Sequence, residues 1–239
     1  MPHVYRFYID PMTSGESSII LDGAEAHHAI HVVRIHPGDE VTCFDGLGTE
    51  IAGHVASVDR ASLVIESDRV SQSPEPSIQL TLAQAWLHRD KAVEELVKRG
   101  TELGVTQFSF FRADHSERGP KPSDKWTRWA IESCKQCGRS RLPTFSVFTN
   151  LADVLDASAA PVIIATQHRA TTPLSDAIAG GSATLIVGPE GDFSDAELAL
   201  ADERGVKPVS LGDSTFRSEV AANVIAALVI YEMGGLGPN

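Results

Sequence analysis

The stretch 185–231 constrains the fold of this chain more than any other segment. It contains two apolar runs, 185–187 and 206–211, and each run ends in a loop that begins with glycine. A helix-like pattern follows each loop, which is typical of two βα units that lie side by side. Because open α/β sheets place ligand sites beyond the carboxyl ends of their strands, we expect the chemistry in the loops 188–193 and 212–217.

Residues 78–239 alternate apolar runs with amphipathic patterns, which predicts an α/β fold with a mostly parallel sheet. Besides the two runs above, the predicted strands are 78–85, 107–111 and 162–165, and the predicted helices are 91–103, 124–136 and 220–233. Gly104 is expected to end the first of these helices. The last helix has almost no polar face, so we expect it to be buried in a large core or against a second subunit.

Residues 1–70 are predicted to form a small β-rich module. The expected strands are 4–9, 18–21, 40–44, 51–58 and 63–67, with a helix at 24–34. A helix with several short strands suggests a compact barrel, which is a common RNA-binding architecture. The segment 71–77 has two prolines and no large apolar residue, so we interpret it as a linker between a domain at 1–72 and a domain at 76–239.

The basic residues of the chain are concentrated in one segment. The net charge of -12 argues against a nucleic-acid partner, but residues 112–141 carry eight basic and four acidic groups. Residues 1–80 and 142–239 each have a net charge of -8. A basic segment in an acidic protein suits phosphate binding, although an ordinary solvated helix face explains the charge equally well. The candidate phosphate contacts are Arg112, Arg118, Lys121, Lys135, Arg139 and Arg141.

Two patterns resemble metal sites but lack further ligands. His27 and His31 share a helix face at spacing i, i+4, yet no glutamate follows in the zincin pattern, so surface histidines are the preferred interpretation. Cys134 and Cys137 form a CxxC pair without a second pair or a nearby histidine, which is weak evidence for zinc or redox chemistry. We therefore expect no bound metal.

The sequence also predicts where the protein works. No apolar run approaches the roughly 20 residues that a membrane-spanning helix requires, and the N-terminus lacks the pattern of a signal peptide. The three cysteines provide no disulfide framework. We expect a cytoplasmic protein without a membrane partner.

The first glycine loop, Gly188-Pro-Glu-Gly191, matches neither the GxGxxG pattern nor a P-loop. Its two glycines still let the backbone approach a ligand closely, which suits a flat and largely uncharged group such as adenine; a plain βα turn is the alternative. Glu219 lies in the first turn of the last helix, where the helix dipole explains a carboxylate. Arg217 has no such explanation, since a cation is unfavourable there, so we expect it to serve a ligand or a partner.

Five motifs occur in an order that resembles a known family. They are Leu103-Gly104-Val105, Ser116-Glu117-Arg118, Cys134-Lys-Gln-Cys-Gly-Arg139, Gly188-Pro-Glu-Gly191, and Leu211-Gly212 with Phe216-Arg217. The set resembles the ribosomal RNA small-subunit methyltransferase E family of the SPOUT class. The N-terminal module is similar to the PUA-like domain of that family, so the resemblance covers nearly the whole chain.

The resemblance implies S-adenosyl-L-methionine-dependent methylation of N3 of one uridine in the decoding region of 16S rRNA, either free or in the assembled small ribosomal subunit. It also implies a homodimer and a deep trefoil knot in the C-terminal domain, a rare exception to the rule that folds are unknotted. The implied cofactor contacts are Thr166, Gly188, Glu190, Gly191, Leu211, Gly212 and Phe216. Arg217 matches the family's arginine, and we hypothesise that it stabilises the uracil anion, with Glu219 as orienter or candidate base.

The chain departs from the family pattern at three positions. Asp192 stands where a third glycine is common, Ser214 where an arginine is common, and Val220 where a hydroxyl residue is usual. These departures support a second interpretation, an RNA-binding ribosome-assembly protein with a vestigial cofactor pocket. A nucleotide-binding α/β enzyme unrelated to RNA is a third, which leaves the basic segment and the N-terminal module unexplained.

Overall fold

The computed structural model describes residues 4–11, 17–158, 161–166 and 172–236. The chain divides into two compact units, which are Met1–Glu75 with Ile131–Leu142 and Pro76–Ala130 with Pro143–Asn239. The return of 131–142 to the first unit is absent from the predicted domains, 1–72 and 76–239. Those domains stay a prediction, and their outer ends, at residues 1 and 239, lie outside the described residues.

The first unit contains a five-stranded sheet. Its strands are β1 Tyr5–Tyr8, β2 Ser18–Leu21, β3 Glu40–Phe44, β4 Thr49–Val58 and β5 Leu63–Gln72. The strand order is β1-β3-β4-β5-β2, in which β1 is parallel to β3 and the other neighbours are antiparallel. Apolar side chains that alternate along these strands, including Phe7, Ile51 and Ile65, form the core of the unit. Closure of this sheet into a barrel stays a prediction.

The helix predicted at 24–34 is present, but its second half is a π-helix, which has more residues per turn than an α-helix. Helix α1, Gly23–His27, continues directly into a π-helical segment, His28–Val33. Apolar spacing alone cannot distinguish these two windings over so short a segment. The exposed rings of His27 and His31 lie 4.6 Å apart between centroids on this helical stretch, as the surface interpretation requires.

The predicted linker at 71–77 requires a correction. Ser71 and Gln72 belong to β5, because this strand pairs with the ten-residue β4 as far as the pair Thr49 and Gln72. Backbone hydrogen bonds to a long partner strand override the polar composition of this segment, which suggested a loop.

The second unit contains a six-stranded sheet. Its strands are β6 Gln79–Ala85, β7 Gln107–Phe111, β8 Thr144–Phe148, β9 Val162–Ala165, β10 Ser182–Val187 and β11 Lys207–Val209. The order is β11-β9-β10-β6-β7-β8, and every neighbouring pair is parallel, which confirms the predicted fold class. The knot stays a prediction.

A helix follows each of these strands along the chain. They are α2 Asp90–Leu103, α3 Asp124–Cys137, α4 Leu151–Ala157, α5 Leu174–Ala177, α6 Asp195–Glu203 and α7 Ser218–Glu232. Gly104 ends α2 with a φ of 110°, which confirms its predicted role, since this conformation favours glycine. Strand β8 and helices α4 and α5 were not predicted, because each has few residues and little periodicity.

Helix α7 is buried on one face only. Ala222, Ile225, Ala226, Val229 and Ile230 face the core, whereas Val220, Val224, Leu228 and Tyr231 are 37–60% exposed. The single chain therefore buries only the inner face of α7, and burial of the outer face against a second subunit stays a prediction. Within the described residues, no helix has the length and apolar character that a transmembrane span needs.

Candidate active site

A cavity of about 390 Å³ lies where β9, β10 and β11 end at their carboxyl sides. The loops after these strands and the start of α7 line it, at the position that the two glycine loops predict. Six of the seven candidate cofactor contacts line this first cavity, and they are Thr166, Gly188, Glu190, Leu211, Gly212 and Phe216. Gly191 does not line it. The cofactor-binding role of all seven stays a prediction.

The first glycine loop, 188–193, is anchored by a buried amide that the sequence analysis missed. Gln84, at the end of β6, is fully buried, and its Nε2 lies 3.0 Å from the Gly188 carbonyl oxygen and 2.9 Å from Ser218 Oγ. The Ser218 hydroxyl also donates a hydrogen bond to the Gly188 carbonyl. A polar residue near the end of an apolar strand, beside a suspected site, was the available signal.

Close packing explains the two glycines of this loop. A Cβ at Gly188 would lie 3.0 Å from the Phe193 ring, and a Cβ at Gly191 would lie 3.1 Å from His115 Cβ. His115 Nδ1 also lies 2.9 Å from the Gly191 carbonyl oxygen, which holds the loop from its other side. The glycines thus allow two neighbouring side chains to approach the backbone.

Asp192 takes a conformation that glycine favours. Its φ is 59°, in the left-handed region, and its carboxylate accepts a hydrogen bond from the Phe193 amide at 2.8 Å. Aspartate tolerates this region better than most residues, because its short side chain bonds to the nearby backbone. The departure from glycine at this position therefore keeps the loop conformation.

The second glycine loop, 212–217, is exposed throughout. Gly212 has a φ of 93°, and a Cβ built on it would meet no atom within 4 Å. The Gly212 amide donates to Ser210 Oγ at 3.1 Å, a contact with the residue two positions earlier. This loop lines the first cavity without being packed closely around its glycine.

The two catalytic candidates differ in their surroundings. Arg217 is the exposed N-cap residue of α7, and its side chain makes no hydrogen bond or ion pair with any residue that the structure describes. Glu219 is 13% exposed and its Oε1 lies 3.2 Å from Arg89 Nη2, while its Oε2 is buried without a hydrogen-bond partner among the described residues. Their catalytic roles stay predictions.

A second cavity, of about 600 Å³, shares two residues with the first. Residues 86–89, the segment around His115 and the first glycine loop line it, and Glu190 and Arg217 line both cavities. The backbone amide of His88 donates a hydrogen bond to Glu190 Oε1 at 3.1 Å. Gly191 lies here rather than in the first cavity. His88 and His115 were missed, because nothing in their sequence spacing connects them to the loop.

The candidate phosphate contacts in the second unit are exposed. They are Arg112, Arg118 and Lys121. The Arg118 guanidinium donates to the His88 carbonyl and lies 3.2 Å from Asp90 Oδ1. These three cations are accessible to a ligand.

The other three candidates belong to the first unit. Lys135 is 10% exposed and lies 2.9 Å from Glu25, and Arg141 lies 2.8 Å from Glu75 and donates to the Ser73 carbonyl. Both cations thus pair with carboxylates inside the unit, and the phosphate contacts predicted for them and for Arg139 stay predictions. Arg139 is partly buried.

The first cysteine of the CxxC pair has the properties of an unreactive thiol. Cys134 is buried, and a hydrogen bond with Cys137 together with burial raises the pKa of the Cys134 thiol. A raised thiol pKa disfavours the thiolate that metal binding and redox chemistry need. No group of three or more potential metal-ligating side chains occurs within 4–11, 17–158, 161–166 and 172–236.

Comparisons with known proteins agree with this architecture. A family model for an RNA methyltransferase domain matches residues 73–230, and one for an RNA methyltransferase PUA domain matches residues 21–66. The ribosomal RNA small subunit methyltransferase E of Synechocystis is 27% identical, over 94% of this chain and 77% of its own length. That of Mycobacterium bovis is 28% identical, over 93% of this chain and 90% of its own length.

The same architecture occurs in a solved structure. The crystal structure of a ribosomal RNA small subunit methyltransferase E from Neisseria gonorrhoeae, bound to S-adenosyl methionine, is 25% identical with a TM-score of 0.83. The match covers 96% of this chain and 98% of that chain. The chain therefore belongs to the RNA methyltransferase family and, within it, to the ribosomal RNA small subunit methyltransferase E group that its motifs resemble.

Proposed function

We propose that this protein methylates N3 of one uridine in the decoding region of 16S rRNA, with S-adenosyl-L-methionine as the methyl donor. The observation that carries the proposal is the meeting of two cavities at Arg217. Transfer between two bound molecules requires adjoining sites, and alignment there can supply roughly 7–11 kcal/mol of the barrier. The motifs and the relatives supply the choice of donor and acceptor.

The first cavity fits the methyl donor in size and chemistry. Its volume lies within the usual range for small-molecule sites. Backbone groups of the glycine loops and apolar side chains such as Val187, Val209 and Ile225 line it, which suits an adenine and a thioether. The proposed contacts in this cavity are Thr166, Gly188, Glu190, Leu211, Gly212 and Phe216, and Gly191 is proposed as a contact from the adjoining second cavity. The bound donor supplies an electrophilic methyl group on its sulfonium.

Arg217 has the main catalytic role in this proposal. Uridine N3 carries a proton and becomes nucleophilic only as that proton leaves, which places negative charge on O2 and O4. The Arg217 guanidinium, unpaired within the described residues and lining both cavities, is suited to stabilise that charge. Glu219 is a candidate orienter or base, and its ion pair with Arg89 favours the orienting role.

Exposed cations of the second unit are the proposed phosphate contacts. Arg112, Arg118 and Lys121 are exposed, although Arg118 lies 3.2 Å from the equally exposed Asp90, whereas Arg141 is half-buried and pairs with Glu75. Substituting Lys121 by alanine is expected to weaken RNA binding and to lower its logarithmic salt dependence by about one. Replacing Arg141 instead is expected to reduce the stability of the first unit. An unchanged salt dependence in the Lys121 variant contradicts this assignment.

A homodimer is the proposed assembly. Val220, Val224, Leu228 and Tyr231 form an exposed apolar row on α7 with spacings of four and three residues. Such a row is typical of a face that packs against a second copy. Leu228→Glu is expected to produce a monomer in sedimentation experiments, and a variant that remains dimeric excludes this face as the dimer interface.

The proposed location of the protein is the cytoplasm.

The decisive experiment is to map N3-methyluridine in 16S rRNA from cells with and without this protein. Purified protein should restore the modification on free rRNA or on the assembled small subunit, and comparing both identifies the substrate. A protein with a vestigial pocket, the second interpretation, would leave the rRNA unchanged. It would also lack the stabilisation of about 2.7 kcal/mol that a ligand at 100 times its Kd confers.

A further inference from the structure

We propose that the second cavity binds the uracil of the acceptor nucleotide and that Glu190, rather than Glu219, accepts the proton from its N3. This inference rests on the proposed function and deepens it, because it assigns the acceptor site and the base. It departs from the role expected for Glu190, a contact to the methyl donor.

The position of Glu190 carries the proposal. Among the described residues, Glu190 is the carboxylate that lines both cavities, whereas Asp192 lines only the first and Glu117 only the second. Glu219 lines neither of them. A proton acceptor has to lie beside the atom that receives the methyl group, and that atom lies where the donor and acceptor sites meet.

Glu190 is also held in place with one oxygen available. The His88 amide donates to Oε1 at 3.1 Å, and no hydrogen bond to Oε2 occurs among the described residues. The loop that carries Glu190 is fixed at Gly188 by Gln84 and at Gly191 by His115. A carboxylate with one anchored and one free oxygen can receive a proton without a large rearrangement.

Glu219 is less suited to this task. Its Oε1 is paired with Arg89 at 3.2 Å, and its side chain is only 13% exposed. Its other oxygen, Oε2, is buried, and Glu219 lines neither cavity, so a base bound in the second cavity has no access to it. Its ion pair instead orients Arg89, which lines the second cavity.

The second cavity offers a pattern that complements uracil. The imide edge of uracil presents one donor, N3–H, between two acceptors, O2 and O4. Glu190 supplies an acceptor, and Arg217, which lines the same junction, supplies donors. Cytosine has an unprotonated N3, whose lone pair would face the Glu190 carboxylate. The site therefore selects uridine over cytidine at the target position.

The chemical step balances with these groups. The N3–H bond breaks, its proton passes to Glu190 Oε2, and its electron pair forms the new N3–methyl bond. The methyl–sulfur bond breaks at the same time, and its electrons remain on sulfur as a neutral thioether. A carboxylate is a weaker base than the uracil anion, so proton transfer accompanies methyl transfer while Arg217 stabilises the charge on O2 and O4. The proton then leaves Glu190 to solvent.

Glu190→Gln tests this assignment with little change in shape, because glutamine keeps an oxygen for the His88 amide. Single-turnover methylation at saturating methyl donor is expected to slow by about 100-fold or more, with donor affinity in calorimetry little changed. The residual rate should rise more steeply with pH than the wild-type rate, since solvent must then ionise N3. Glu190→Asp, which keeps the carboxylate, should retain part of the rate, and the exposed Glu203→Gln should match wild type.

Binding provides a readout that does not depend on turnover. With S-adenosylhomocysteine in the first cavity, the wild type should bind target RNA more tightly when it contains uridine than when cytidine replaces it. Glu190→Gln should lose this preference, because its amide can also donate to cytosine N3.

Three outcomes overturn the assignment. The first is an unchanged methylation rate in Glu190→Gln, and the second is a loss of rate in this variant that more methyl donor restores. The third is a Glu190→Gln variant that still binds uridine-containing RNA more tightly than the cytidine form. Wild-type protein that leaves uridine N3 unmethylated overturns the proposed function as well, whereas the first three outcomes with an active wild type overturn only the role of Glu190.

Discussion

The two glycine loops line the same cavity, but the structure holds them differently. The first loop, 188–193, is tied to Gln84, His88 and His115, three residues from other segments of the second unit. The second loop, 212–217, is exposed, and Gly212 has open space where a side chain would lie. The first loop is therefore formed before a ligand arrives, whereas the second has more freedom to adjust to one.

This difference matches the chemistry proposed for each loop. Glu190, on the first loop, has to meet N3 at a defined place, and a fixed backbone provides that place. Arg217, at the end of the second loop, has to follow charge that spreads over two oxygens, and its long unanchored side chain can do so. A preformed element and an adjustable one thus both line the two cavities.

Removing the positive charge of the second loop is expected to have the largest effect. Arg217→Ala should slow single-turnover methylation at saturating methyl donor by roughly 100- to 1,000-fold, because the developing anion loses its positive partner. The start of α7 should be unaffected, since the Arg217 side chain makes no capping hydrogen bond. Arg217→Lys keeps the charge without the planar guanidinium, so its rate should lie between those of the wild type and the alanine variant. A wild-type rate for Arg217→Ala excludes the proposed role of Arg217 in stabilising the anion.

Removing the anchor of the first loop is expected to have the next largest effect. Gln84→Leu leaves the Gly188 carbonyl and the Ser218 hydroxyl with fewer partners in a buried site, which should lower the free energy of unfolding by about 3 kcal/mol. Affinity for S-adenosylmethionine should fall too, because the loop loses its fixed position. Urea unfolding and calorimetry measure both, with the exposed Gln136→Leu as control. Loss of stability without loss of affinity contradicts the anchoring role.

Local patterns in the sequence predicted much of this fold. The strands at 18–21, 40–44, 107–111 and 162–165 have the predicted bounds, because alternation and turn residues determine them locally. The position of the first cavity also follows from local information, since strand ends in a parallel sheet meet at one edge.

Contacts between distant segments could not be predicted in the same way. Gln84 lies 104 residues from Gly188, and Lys135 lies 110 residues from Glu25, so no local pattern relates either pair. The basic segment 112–141 appeared continuous in charge, yet its last part folds into the first unit, where intrachain carboxylates neutralise Lys135 and Arg141. Net charge along a sequence does not reveal such pairing.

Substituting one glycine in each loop compares their packing directly. Gly188→Ala places a methyl group 3.0 Å from the Phe193 ring, so it should cost about 1–3 kcal/mol of stability and weaken binding of the methyl donor. Gly212→Ala meets no neighbour, so its cost of about 1 kcal/mol should come only from the φ of 93°. Thermal unfolding measures both variants. A larger cost at Gly212 reverses the comparison between the loops.

Hydrogen exchange tests the smallest expected effect, the response of each loop to the methyl donor. Two backbone amides of the first loop already donate hydrogen bonds. The Asp192 amide donates to the Pro189 carbonyl at 3.1 Å, and the Phe193 amide donates to the Asp192 carboxylate at 2.8 Å. Their exchange should change little when S-adenosylmethionine binds. Exchange in 212–217 should slow on the order of tenfold or more, because the ligand orders a loop that the protein alone leaves exposed. Equal slowing in both loops means that the ligand orders them together, and the first loop is then no more preformed than the second.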